Sequence, residues 1–140
     1  MVADLREDFP TVSFAVCDDR ADWGHDKRAK GVEWATGDYL GFFNHDDEYE
    51  LDYIEKMLRK AADTGADAVY CGWTGDFGNP WPSFGLGSST SGNFIVRTEL
   101  AQEVGYTERT YEADGHFINA LANRAENGIE FVNEVLYHHH

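Results

Sequence analysis

Basic residues are scarce in this chain of 140 residues. Lysine and arginine together number 11, against 26 aspartates and glutamates, which gives a formal net charge of −15. A surface of this charge repels polyanions, so a nucleic-acid partner is not expected. A phosphate-bearing ligand would need a local basic group or a bound cation to approach it.

Long apolar runs and cysteines are also few. No run approaches the roughly 20 residues of a membrane-spanning helix, and residues 1–8 lack the basic and apolar regions of a signal peptide. We therefore expect a soluble, cytoplasmic protein. Cys17 and Cys71 lie in separate apolar segments without CxxC spacing, which favours two reduced, buried thiols over a disulfide or a metal site.

Strand-like and helix-like segments alternate along the chain. Apolar and β-branched residues predict strands at residues 11–17, 38–43, 66–73, 93–97 and 129–137. Apolar residues at helical spacing predict helices at residues 26–35, 51–65, 98–105 and 111–127. This alternation predicts an α/β fold with a mainly parallel sheet and helices on both faces. The length favours a single domain over residues 1–137.

Two of the predicted helices have a distinct apolar stripe that we expect to face inward. In the helix at residues 51–65 the stripe consists of Leu51, Ile54, Leu58, Ala61 and Ala62. In the helix at residues 111–127 it consists of Phe117, Ile118, Leu121 and Ala125.

One long irregular segment interrupts this pattern at residues 74–92, which are rich in glycine and serine and hold two of the three prolines. Such loops are commonly lids or binding loops. Trp73, Trp81 and Phe84 lie in or beside it, and their flat rings could stack on a sugar or a nucleobase. Core packing is an equally good interpretation for Trp73 and a weaker one for Trp81.

Acidic residues follow two of the predicted strands. Asp18 and Asp19 follow the first, and residues 44–47, with Asp46 and Asp47, follow the second. Ligands of open parallel sheets bind outside the carboxyl ends of the strands, so both groups are expected on one rim. Carboxylates gathered there repel one another unless a divalent cation lies among them, and Asp46 is the natural ligand for Mg²⁺ or Mn²⁺ beside a diphosphate. Alternatively, Asp46 and Asp47 only cap the helix that begins near Leu51.

The segment KRAKGVEWATGDYLGFFNHDDEY, residues 27–49, resembles a segment of family 2 glycosyltransferases that ends in a DxDD motif. The positions in register are Arg28, Gly31, Val32, Ala35, Gly37, Asp38, Tyr39, Leu40, Phe42, Asp46 and Asp47. Residues 93–138 are similar to the family's I-x-R, V-G and E-D motifs and to its final V-L-Y-H. The resemblance extends from Val12 to His138.

The resemblance implies a GT-A fold and the transfer of a sugar, with inversion, from a nucleoside diphosphate donor to a hydroxyl acceptor. A UDP-sugar is the expected donor, and the acceptor is an unidentified glycan, lipid or protein. Asp18, with Asp19 beside it, would recognise the base, and Asn44 would bond a ribose hydroxyl. Asp46 would hold Mn²⁺ or Mg²⁺ between the phosphates.

Two basic residues complete the implied donor site. Lys27 and Arg28 are placed to approach the diphosphate, although solvated ion pairs on a short helix are an equally good interpretation. Asn44 stands where the family's motif has its first acid, so the metal site carries one charge fewer.

The same resemblance implies that Asp114 is the catalytic base, as the second acid of an E-D pair whose first acid is replaced by Ala113. The sequence supports this independently, because Asp114 shares a helical face with Ile118 and Leu121 and is expected to point inward. The alternative is that Asp114 caps the helix. His138 matches a place where related enzymes have a third metal ligand, but residues 138–140 also resemble the remnant of a purification tag.

One departure from the family concerns the start of the chain. Members ordinarily have a further strand and helix before the strand at residues 11–17, whereas ten residues precede Thr11 here. We interpret the chain as a minimal version of the fold, or as one whose nucleotide site is incomplete or completed by another copy in a homo-oligomer. A weak or inactive nucleotide-sugar-binding module is therefore the alternative function, and an acidic interaction domain is a third.

Overall fold

The computed structural model describes residues 24–76, 78–85, 87–107, 110 and 112–140. The strand predicted at residues 11–17, with Cys17, lies outside the described residues, as do Asp18 and Asp19. In chain order the elements of the described part are α1 His25–Trp34, β1 Tyr39–Gly41, β2 Glu48–Tyr49, α2 Tyr53–Thr64, β3 Ala68–Thr74, β4 Phe94–Arg97, α3 Thr98–Val104, α4 Ala113–Arg124 and β5 Ile129–His138. Every helix and strand predicted within the described part is present, with shifted ends.

The sheet of the described part is mixed rather than mainly parallel. Its strand order is β1-β4-β3-β5-β2. Only β3 and β5 pair in parallel, while β1 with β4, β3 with β4 and β2 with β5 are antiparallel. The mainly parallel sheet was inferred from the alternation of strands and helices, but the segment at 74–92 was predicted as a loop. Its described residues contain no helix, and the chain returns beside β3 in the opposite direction. The short strand β2 was not predicted, because its two residues lie in an acidic stretch without apolar alternation.

Helices cover both faces of the sheet, as predicted. On one face α1, α3 and α4 pack against alternate strand residues such as Ala68, Phe94 and Val96. On the other face α2 packs against Val69 and Ile95. Neighbouring residues of a strand point to opposite faces, which is why Ala68 and Val69 belong to different cores. The α/β class is confirmed.

The buried face of α2 differs from the predicted one. The exposed fractions are 106% for Leu51, 55% for Ile54 and 43% for Leu58, and Ala62 is exposed as well. Of the predicted stripe, only Ala61 is buried.

The residues that α2 does bury are Tyr53, Met57 and Ala61. The Tyr53 ring lies 5.2 Å from the Tyr49 ring and 5.7 Å from the Phe43 ring, between centroids, and its hydroxyl donates to the Gly92 carbonyl oxygen at 3.1 Å. Two apolar stripes compete on this helix, and the one that carries the aromatic ring and its hydrogen bond packs against the sheet.

A pair of neighbouring alanine substitutions tests this orientation of α2. Met57 is 0% exposed whereas Leu58 is 43% exposed. We expect Met57→Ala to lower the free energy of unfolding by about 2–5 kcal/mol because it leaves a cavity, and Leu58→Ala to lower it by less than about 1 kcal/mol. Urea denaturation of both variants measures the difference, and a larger loss for Leu58→Ala would show that the predicted stripe faces inward after all.

The predicted burial of the apolar stripe of α4 and of Cys71 is confirmed. Phe117, Ile118 and Leu121 are buried on the inner face of α4, and Ala125 packs partly against the same core. Cys71 is buried and free. Burial raises the pKa of its thiol to about 12, so the thiol stays protonated and unreactive. No helix in the described ranges combines the length and apolarity needed to cross a membrane.

Candidate functional site

A cleft of about 700 Å³ lies where the chain leaves β1. It is lined by Gly24, by residues of α1 up to Gly31, by residues 41–47 and by His139. The chain turns sharply after β1, since the Asp47 N–H donates to the Asn44 carbonyl oxygen at 3.4 Å. It then enters β2, where Glu48 pairs with His138 at the end of β5. The turn and the end of β5 are therefore held side by side.

Four of the predicted donor-site residues line this cleft: Lys27, Arg28, Asn44 and Asp46. Lys27 is exposed and Arg28 is half-buried. The Arg28 Nη2 donates to Asn44 Oδ1 at 3.0 Å, and its Nη1 lies 3.2 Å from His25 Nδ1. The cleft thus contains two cationic side chains, one of them oriented by an amide.

Asp46 and Asp47 have different environments although they are adjacent. Asp46 is exposed and makes no hydrogen bond or ion pair with any residue that the structure describes. Its carboxylate is therefore accessible to a ligand in the cleft. This arrangement matches the role predicted for Asp46, which stays a prediction.

The Asp47 carboxylate is 0% exposed and fully engaged. Its Oδ2 accepts from Asn44 Nδ2 at 2.8 Å and from the Tyr137 hydroxyl at 2.5 Å. Its Oδ1 accepts from the His140 backbone N–H at 3.0 Å and lies 3.0 Å from His139 Nδ1. Each oxygen has two partners, so Asp47 joins the turn after β1 to the end of β5.

The hydrogen bonds keep Asp47 ionised. Burial raises the pKa of its carboxyl group, but the bonds from Tyr137, the His140 N–H, Asn44 and His139 outweigh burial and lower the pKa to about 2. Burial and the neighbouring Asp47 together raise the pKa of Tyr137 far above its usual value. The tyrosine is therefore a permanent donor and the aspartate a permanent acceptor at ordinary pH.

The alternative in which Asp46 and Asp47 cap the following helix is wrong. Helix α2 begins at Tyr53 with Asp52 as its N-cap residue, and no side chain caps it by a hydrogen bond. Strand β2 separates the two aspartates from the helix. The acidic residues are positioned by the sheet instead.

Asp114 lies in the first turn of α4 and is half-buried. Its Oδ1 accepts from the Gly115 N–H at 2.8 Å. Phe117, one turn further on, packs edge-on against Phe42 with 6.1 Å between ring centroids, and Phe42 lines the cleft. The start of α4 therefore lies beside the cleft, and the predicted role of Asp114 as a base stays a prediction.

The end of β5 places a different histidine at the cleft from the one predicted. His138 Nδ1 lies 2.7 Å from Thr74 Oγ1, and its Nε2 lies 2.7 Å from Glu50 Oε1. Metal ligation by His138, which stays a prediction, would have to replace one of these contacts. His139 is the histidine that lines the cleft, because neighbouring residues at a strand end point in opposite directions.

The sequence reasoning did not identify Tyr137 or His139 as residues of the site. The one available signal is the period of two along β5, which puts Tyr137 and His139 on the same side when the strand is continued by one residue. The strand register that brings them to Asp47 is not a property of local sequence.

The aromatic residues of the long loop are divided between core and surface. Trp73 is 6% exposed and its indole N–H donates to the Ser88 carbonyl oxygen at 2.9 Å, which favours the core-packing interpretation. Trp81 is 71% exposed, and its indole N–H donates to Asn133 Oδ1 at 3.0 Å. It lines a separate cleft of about 270 Å³. Phe84 packs against Phe94 at 5.4 Å between centroids.

Few side chains in the described part of the chain are placed to ligate a metal ion. No group of three or more histidine, cysteine, aspartate and glutamate side chains is placed there to hold a metal. An exposed Asp46 nevertheless suits Mg²⁺ or Mn²⁺, since these cations usually take one or two protein carboxylates and complete their shell with water and substrate phosphates. The residues present therefore fit a cation that arrives with a diphosphate.

Comparison with known proteins gives a consistent result. The family model described as Glycosyl transferase family 2 matches residues 13–119. The chain is also similar to EpsH of Bacillus subtilis (strain 168), a protein named as a glycosyltransferase. The two are 44% identical over 50 residues, which cover 36% of this chain and 14% of EpsH.

Solved structures of S. aureus TarS share the fold. The structure of TarS 1-349 has a TM-score of 0.76 at 15% sequence identity. The similar region covers 97% of this chain and 46% of the TarS chain. TarS 1-349 in complex with UDP-GlcNAc has a TM-score of 0.75 at 15% sequence identity, and the similar region covers 99% of this chain and 45% of the TarS chain. The GT-A fold predicted from the sequence is confirmed, and the chain spans less than half the length of these relatives.

Proposed function

The chain belongs to glycosyl transferase family 2, and from this premise we propose that it transfers a sugar from a nucleoside diphosphate donor to a hydroxyl acceptor with the help of a divalent cation. The observation that supports the proposal most is the accessible Asp46 carboxylate in one cleft with Lys27 and Arg28. The proposed donor is a UDP-sugar, in keeping with the UDP-GlcNAc and UDP complexes of TarS.

Charge explains why cation and donor would bind together. A nucleoside diphosphate approaching a chain of net charge −15 is repelled at long range. Mn²⁺ or Mg²⁺ held by Asp46 would neutralise charge on the leaving diphosphate. Lys27 and Arg28 line the same cleft and would contact the phosphate oxygens directly.

Asp114 would act on the acceptor. In the proposed reaction the acceptor oxygen attacks the anomeric carbon from the side opposite the diphosphate and gives its proton to the Asp114 carboxylate. The new carbon–oxygen bond forms as the bond to the diphosphate breaks, so the anomeric configuration inverts and the nucleoside diphosphate leaves. The proposed acceptor is a hydroxyl group of a glycan, lipid or protein.

A second candidate is a module that binds nucleotide sugars without transferring them. Two sequence features favour it: Ala113 replaces the first acid of the E-D pair, and the uncharged Asn44 replaces the first acid of the DxD motif. Asn44 is already bonded to Arg28 and Asp47 through its two amide atoms. Such a module would bind UDP with Mn²⁺ and form no product.

A thermal-shift screen of the full chain tests the proposed function. We expect UDP and UDP-GlcNAc with Mn²⁺ to raise the Tm, by roughly 5–10 °C at a concentration of about 100 Kd, and EDTA to diminish the shift. GDP and CMP with Mn²⁺ serve as matched nucleotides and should shift the Tm less. If none of the nucleotides changes the Tm with the metal present, the chain is not a nucleotide-sugar protein.

A further inference from the structure

Asp47 has no capacity left for a ligand, although it follows the proposed metal ligand directly. Its carboxylate is 0% exposed, and both oxygens are occupied by four partners from the turn and from β5. Replacing any partner by a metal or a substrate would break a charge-assisted hydrogen bond. A role for Asp47 has to be sought in what it holds.

Asp47 determines which way the Asn44 amide faces. The Nδ2 of Asn44 donates to Asp47 Oδ2 at 2.8 Å, and the Oδ1 on the other side accepts from Arg28 Nη2 at 3.0 Å. An amide turned around would present N–H groups to a guanidinium, which has only donors, and its oxygen to a carboxylate, which has only acceptors. The contact with Asp47 thus ensures that Asn44 presents an acceptor to Arg28.

The Tyr137 side chain, which also contacts Asp47, is held rigidly. Tyr137, which donates to Asp47, is 0% exposed. Its ring lies 5.0 Å from the Tyr49 ring between centroids, and a Cβ atom added at Gly92 would lie 2.3 Å from its Cζ. The tyrosine hydroxyl therefore has little freedom to leave Asp47, and the last residues of the long loop pack directly on its ring.

We propose that Asp47 is a positioning residue that holds the Arg28 guanidinium, through Asn44, in the place where it contacts the donor's diphosphate. This inference depends on the proposed function, because it takes the cleft to be the diphosphate site. Asp47 acts on phosphate binding without touching the phosphate. Its effect on the ligand therefore requires Arg28.

A double-mutant cycle tests that requirement. Calorimetry with UDP and Mn²⁺ gives the Kd of the wild-type chain, of Asp47→Asn, of Arg28→Ala and of the double variant. We expect each single substitution to raise the Kd by about tenfold, the size expected for one hydrogen bond to a charged group. The double variant should have nearly the same Kd as Arg28→Ala, because Asp47 acts only through that side chain. Independent effects, which multiply to about 100-fold, would overturn the proposal.

Asp67 provides a matched control. It is also a buried aspartate, 5% exposed, and is bonded to Arg97 and Asn127 at the opposite end of β3. Asp67→Asn and Asp47→Asn should both lower the Tm, but Asp67→Asn should leave the Kd for UDP unchanged. If Asp67→Asn weakens UDP binding as much as Asp47→Asn, the effect is a general loss of stability and the inference fails.

Tyr137→Phe is a milder variant that applies if Asp47→Asn does not fold. It removes one of the four donors to Asp47 and should raise the Kd for UDP by a smaller factor, again only when Arg28 is present. An unchanged Kd in Tyr137→Phe would count against the proposal in that case. A wild-type chain that fails to bind UDP with Mn²⁺ would contradict the proposed function itself. If the wild-type chain binds UDP normally but the effects of the two substitutions on the Kd multiply, only the inference is contradicted.

Discussion

Asp114→Asn is expected to reduce sugar transfer by about 10²–10⁴-fold, the usual contribution of a general base, and to leave the Kd for UDP and Mn²⁺ nearly unchanged. The amide cannot accept the acceptor's proton, but its Oδ1 can still accept the Gly115 N–H that the carboxylate accepts at 2.8 Å. The start of α4 should therefore keep its conformation. Release of UDP from UDP-GlcNAc in the presence of hydroxyl acceptors measures turnover, and calorimetry measures binding.

Glu112→Gln is the matched control for that variant. Glu112 is the exposed N-cap residue of α4 and lies two positions before Asp114. The substitution removes the same charge from the same helix end without affecting the proposed base. If the two variants lose activity equally, the loss reflects the charge near the helix terminus and the role of Asp114 as base is refuted. Turnover that is absent in the wild type, with UDP binding intact, would favour the binding module.

The parts of the fold that sequence predicted correctly are those that local chemistry determines. Apolar and β-branched residues predict the strand at 66–73, and apolar residues at helical spacing predict the helix at 111–127. The structure has them as β3 and α4. The cleft was predictable for a related reason. Lys27 and Arg28 on α1 and Asn44 and Asp46 after β1 belong to consecutive elements, so the residues that meet are less than 20 positions apart in sequence.

The buried face of α2 shows where local periodicity fails. Both Leu51-Ile54-Leu58 and Tyr53-Met57-Ala61 have helical spacing, and the first is the more hydrophobic. The choice is made by partners far along the chain, since the Tyr53 hydroxyl bonds the Gly92 carbonyl oxygen 39 positions away. Periodicity locates a helix but does not say which of two apolar stripes the rest of the protein can accommodate.

The contact between Asp47 and Tyr137 was beyond sequence reasoning for a similar reason. The two residues are 90 positions apart and meet only because β2 pairs antiparallel with the end of β5. A strand of two residues has too little pattern to be predicted. Without β2, the strand register that decides whether His138 or His139 faces the cleft is undefined. The acidic stretch consequently looked uniform, whereas the structure divides it into an accessible Asp46 and a buried Asp47.

That division gives Asp46→Asn the clearest consequence for metal binding. We expect the substitution to raise the Kd for UDP in the presence of Mn²⁺ by at least about 10–100-fold. Replacing even a residue that only contacts a metal ligand weakens metal binding by that factor. In EDTA the difference in Kd between the variant and the wild type should disappear or change sign. The variant should bind UDP at least as tightly as the wild type, because a negative charge has been removed from the diphosphate's approach.

Asp63→Asn controls for the change in net charge that accompanies Asp46→Asn. Asp63 is an exposed residue of α2 outside the lining of the cleft and, like Asp46, loses one negative charge when it becomes asparagine. It should leave UDP binding unchanged with Mn²⁺ and with EDTA. A metal ligand predicts opposite signs for Asp46→Asn under these two conditions, whereas a merely repulsive carboxylate predicts tighter UDP binding under both. Tighter binding under both conditions would therefore show that Asp46 does not hold the cation.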